Sequence, residues 1–93
     1  MKSAPAKHIA VVICTGDRAR VAEALRAAVG LGLRGDAIDV VMDRPARAIV
    51  ESSDPAIDRA VATLVQLGHR IHRQPAMRSS DLIHRADAIE VWT

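Results

Sequence analysis

The 93-residue chain has one cysteine, one aromatic residue (Trp92), and neither Phe nor Tyr. A single cysteine excludes an internal disulfide and any zinc site built from several thiolates. The scarcity of rings removes the stacking surfaces on which single-stranded nucleic acids are held. An excess of one charge is lacking as well: 13 basic residues face 11 acidic ones, for a formal charge of +2. All of those bases except Lys2 and Lys7 are Arg, and they are dispersed along the chain. Nucleic acid is therefore not an expected partner. Long hydrophobic runs are missing too. The first one, Ile9 to Cys14, is too short for a signal-peptide core or a membrane span. A cytoplasmic protein with no membrane partner, no cofactor and no metal is the expectation.

What is present is a globular composition, 49% hydrophobic and 26% charged. Residues 1–93 leave room for one domain and one core. With so few aromatics, that core has to be built from Ala, Val, Ile and Leu. Such a core buries limited area, which favours a homo-oligomer.

Punctuation along the chain predicts alternating strands and helices. His8 to Cys14 is a continuous β-branched run, as expected of a strand covered on both faces. Thr15-Gly16-Asp17 breaks it, and Asp17 can cap a helix whose buried stripe is Val21, Leu25, Ala28, Val29 and Gly32. Ala24, Ala27 and Leu31 widen that stripe beyond one sheet contact, and Gly35 suits the exit. Ala37 to Met42 reads as the second strand, followed by a short helix or turn from Asp43 to about Glu51. Asp54 and Pro55 then open a helix that Gly68 ends. His69 to Arg73 reads as a short third strand closed by Pro75. Ser79 or Ser80 can cap a brief helix, and Ala88 to Trp92 makes the fourth strand.

Alternation without a two-residue hairpin turn implies right-handed crossovers. The fold class expected is α/β: a small three-layer sandwich, its four-stranded sheet mainly parallel, with helices on both faces. Placing the most apolar strand in the interior suggests the order 2-1-3-4. The switch point would then lie between the first and third strands, where the loops Cys14 to Arg18 and Arg73 to Ser80 meet.

Cys14 is the candidate catalytic residue. It closes an interior strand beside a helix N-terminus, where backbone N–H groups favour a thiolate. The alternative is a small buried residue with no chemistry, since free cysteine is among the most buried types. Thr15, Gly16, Asp17, Arg18, Arg20, Arg44 and Arg73 are the candidate anion- or ligand-binding residues, with Arg47 and Arg78 on the same rim. A solvated basic rim is the plainer reading of these arginines. His69 and His72, three apart in a strand, face opposite sides and cannot chelate one ion. His72 or His84 remains available as an acid–base partner.

The spacing from Cys14 to Arg20 resembles the Cys-x5-Arg loop of low-molecular-weight phosphatases and thioredoxin-linked arsenate reductases. That resemblance implies a phosphate-loop enzyme or phosphocarrier using Cys14 and Arg20, although Val21 stands where such loops carry Ser or Thr. Over most of its length the chain instead resembles the DsrE/DsrF/DsrH sulfur-relay superfamily. The segments that carry this are Ile9-Ala-Val-Val-Ile, Val21-Ala-Glu-Ala-Leu-Arg-Ala-Ala, Gly35-Asp-Ala-Ile-Asp-Val-Val-Met, Ala60-Val-Ala-Thr-Leu-Val-Gln-Leu-Gly-His and the closing Asp81 to Trp92. This implies one small cytoplasmic α/β domain, oligomeric, with sulfur-relay partners and persulfide transfer or an accessory role. The acceptor cysteine of the sulfur-carrying members follows the third strand. Arg73-Gln-Pro-Ala-Met77 has none, which leaves Cys14 or no carrier at all.

Overall fold

Three aspartates set the helix starts. Asp17 accepts from the amides of Ala19 and Arg20, Asp43 from Ala46, and Asp54 from Ala56 and Ile57. Each carboxylate satisfies donors that the first helical turn leaves unpaired. The computed structural model describes residues 7–73 and 80–93. Within them the order is β1 (His8–Ile13), α1 (Arg18–Leu33), β2 (Ala37–Met42), α2 (Arg44–Val50), α3 (Pro55–Gln66), β3 (Arg70–His72), α4 (Ser80–Arg85) and β4 (Ala88–Trp92). Gly35 and Gly68 follow the ends of α1 and α3 at φ of 102° and 87°, a conformation that glycine adopts without steric cost. The expected roles of Pro75, Arg78 and the Ser79 or Ser80 cap lie outside the described residues.

The four strands form one parallel sheet, so the α/β class and the interior position of β1 hold. The order is β3-β2-β1-β4, not 2-1-3-4. β3 pairs with β2, and β1 is flanked by β2 and β4. The physical reason is visible in β3 itself. It is three residues long and carries Arg70 and His72, which suits an edge with access to water and not the seat beside β1. The switch point accordingly falls between β1 and β4.

One face of the sheet carries the core. Ile9, Val11 and Ile13 of β1 and Ile38, Val40 and Met42 of β2 pack against Val21, Leu25 and Ala28 of α1, Ala46 and Val50 of α2, and Ile57 and Leu64 of α3. Steps from β1 to β2 to β3 run in one direction, so right-handed crossovers put α1, α2 and α3 on that same face. The return to β4 reverses direction and places α4 on the other. Ala24 is wholly buried and Ala27 and Leu31 are half-buried. The expected apolar surplus on α1 is thus covered within the chain. Exposed large apolar side chains are Leu33 at the end of α1, Val65 and Leu67 at the end of α3, and Ile89 and Val91 of the edge strand β4, the last two at 48% and 58%. No described helix is long and apolar enough to cross a membrane.

Candidate functional site

β1, β2 and β4 end together, and their last residues build the rim. The Cys14 amide donates to the Trp92 carbonyl (2.7 Å), and the Asp43 amide donates to the Ile13 carbonyl (3.0 Å). Cys14 therefore sits between the ends of β2 and β4, half-buried and in no disulfide. Thr15 Oγ1 accepts from the Asp17 amide at 3.1 Å and tightens the turn that starts α1.

This arrangement does not activate the thiol. Burial pushes the Cys14 pKa up, and the Asp43 carboxylate adds to the rise. The helix start that was expected to oppose it is occupied: Asp17 Oδ1 takes the amides of Ala19 (2.9 Å) and Arg20 (3.2 Å). A carboxylate at the N-cap neutralises the very dipole end that a thiolate or phosphate needs.

The arginines disperse. Arg18 reaches across to α3, donating to Ser52 Oγ (2.9 Å) and Asp54 Oδ2 (3.2 Å). Arg20 donates to the Thr93 carbonyl at 3.2 Å and stacks over the Trp92 ring at 5.0 Å. Both guanidinium groups thus brace the fold. Arg44 is exposed at the first position of α2, beside Asp43. Arg47 donates to the Arg73 carbonyl at 3.1 Å, tying α2 to the end of β3. Arg73 follows the far edge strand, with β2 between that strand and β1, so the strand order separates it from Cys14. The structure thus gathers Cys14, Thr15, Gly16 and Asp17 in one turn, and leaves Arg18, Arg44 and Arg73 apart from it.

A second cluster lies on the opposite face and was not singled out in the sequence. Asp39, in the middle of β2 and 6% exposed, accepts from two imidazoles. His8 Nε2 donates to Oδ2, and His72 Nε2 donates to Oδ1 at 2.7 Å. Burial alone would raise the Asp39 pKa. The hydrogen bonds from His72 and His8, with their charges, outweigh it and hold the carboxyl below its ordinary value. The readable signal was an Asp flanked by Ile38 and Val40 in a buried strand, because such a carboxylate must find donors. His69 takes another path: its Nδ1 accepts the Ile38 amide at 3.2 Å, extending β2 by a bond that β3 is too short to supply. His84 is exposed on α4. Among the described residues, no group of three or more His, Cys, Asp and Glu is placed to hold a metal ion. No family model, no curated protein and no solved structure matches the chain.

Proposed function

We propose that the chain is a DsrE-like accessory or binding subunit of a cytoplasmic sulfur-relay system and carries no persulfide itself. The observation that supports this most is the raised pKa of Cys14, set between the Asp43 carboxylate and a helix start already capped by Asp17. Persulfide transfer needs an accessible thiolate near neutral pH. The missing cysteine in the segment after β3 points the same way. The same features count against a phosphate-loop enzyme, since Arg20 is engaged by Thr93 and Trp92. Native protein treated with iodoacetamide at mildly acidic pH is expected to react more slowly than the unfolded chain. It is also expected to gain no sulfane sulfur, read by mass spectrometry, after incubation with a persulfide donor. Rapid alkylation and a mass gain of one sulfur on Cys14 would reverse the reading to a carrier.

We further propose that copies associate through β4. Ile89 and Val91 stand exposed side by side on a strand whose outer edge pairs with no other strand among the described residues, an arrangement that isolated monomers ordinarily blunt. Sedimentation at micromolar concentration is expected to give a dimer or larger, and Val91→Lys to give a monomer. A wild-type monomer throughout that range removes the proposal.

A further inference from the structure

At the end of the sheet away from Cys14, the starts of β1, β2 and β3 and the last turn of α4 enclose an open cavity of about 450 Å³. Its lining includes His8, Asp39, Arg70, Leu82 and Arg85. The β2–β3 register sets Arg70 directly beside Asp39, an arrangement that ordinarily yields an ion pair. Here both carboxylate oxygens are already engaged, one by His8 and one by His72. Arg70 and Arg85 are exposed, and neither forms an ion pair among the described residues. The lining holds two guanidinium groups and one carboxylate, and a second carboxylate, that of Asp87, is held next to it by the His8 amide at 2.8 Å. With Nε2 of His8 committed to Asp39, its Nδ1 is the ring atom left to meet a ligand.

We propose that this cavity binds a small organic phosphate, its phosphoryl group held between Arg70 and Arg85 with His8 alongside. Guanidinium groups recognise phosphate oxygens bidentately, and two of them suit a dianion better than a single carboxylate. The cavity falls within the size range of small-molecule sites. Leu82 and Ala37 supply an apolar wall, so an organic body beyond the phosphoryl group has a place to lie. The His8–Asp39–His72 cluster has a role in this arrangement. By occupying Asp39 it keeps Arg70 from being neutralised in place, and it holds the His8 ring at the cavity wall.

The test is a titration of labelled protein with phenyl phosphate, followed by amide chemical shifts. Saturable shifts at Gly68, Arg70 and Arg85 are expected. Inorganic phosphate should bind the same residues more weakly, for want of the apolar contact. Each of Arg70→Gln and Arg85→Gln is expected to weaken phenyl phosphate by about tenfold, and Arg59→Gln, exposed on α3, to leave it unchanged. Circular dichroism confirms that the variants are folded. Shifts confined to the Cys14 rim, shifts that fail to saturate, or unchanged affinity in folded Arg70→Gln/Arg85→Gln would overturn the site. Equal affinity for inorganic and phenyl phosphate would overturn the organic part of the ligand. None of these outcomes depends on whether Cys14 carries sulfur.

Discussion

Removing both imidazoles and the neighbouring Arg70 guanidinium from Asp39 is expected to invert the acid dependence of stability. In the wild-type protein the Asp39 carboxyl is held below its ordinary value of 3.8. A depressed folded-state pKa contributes stability that is fully present above the unfolded value and is lost as pH falls through the folded one. Wild-type stability should therefore rise with pH across that acid range. In His8→Ala/His72→Ala/Arg70→Gln the same carboxylate stays in β2 without its two donors and without the neighbouring guanidinium that would replace them, and burial alone then acts on it. Its pKa moves above the ordinary value, and its contribution to stability falls as pH rises past 3.8. Stripping the partners from a buried charge costs about 3–5 kcal/mol. Here the lower end applies, because the two rings are 30% and 27% exposed and solvent screens the pairs. Urea unfolding of both proteins at neutral and acid pH measures this. The gap should be widest at neutral pH and should narrow in acid. A gap independent of pH would show that the rings act only by packing.

Leu25→Ala should lower stability by about 2–5 kcal/mol, the cost of a lost side chain plus the cavity it leaves. Leu25 is wholly buried at the centre of α1, where the helix meets both the sheet and α3. Small domains hold about 5–15 kcal/mol in all, so this one change consumes a large part of it. The consequence is sharper here than in a core with aromatic rings. With no Phe or Tyr in the chain, neighbours such as Val21, Ile57 and Leu64 have little length with which to refill the space. Thermal unfolding should move down by about 4–8 °C for each kcal/mol lost. Val65→Ala, 59% exposed on α3, should stay close to wild type. Equal losses for the two would mean that the core is not where the burial places it.

The sequence determined those features whose physical cause lies within a few residues. Asp17 and Asp54 cap their helices because a carboxylate side chain reaches amides two or three positions ahead. Strand ends, the helix exits at Gly35 and Gly68, and the parallel alternation were legible for the same reason, as was Cys14 at the close of an interior strand. Tertiary structure decided what depends on partners far along the chain. Nothing near Arg70 or His72 says that β3 will lie beside β2, and that choice carries Arg73 away from Cys14. Asp43 was readable only as the opening of a short helix or turn. Its position next to the end of β1 follows only from the pairing of β1 with β2, and there its charge adds to the effect of burial in pushing the Cys14 pKa up. Asp39 was readable as a carboxylate that must have donors. Which donors it has was not, since His8 and His72 stand 31 and 33 residues away and meet it only through strand register. Caps and periodicity are local and act before the chain closes on itself. Edge position, strand order and the satisfaction of a buried charge are settled by which surfaces the whole chain can bury together.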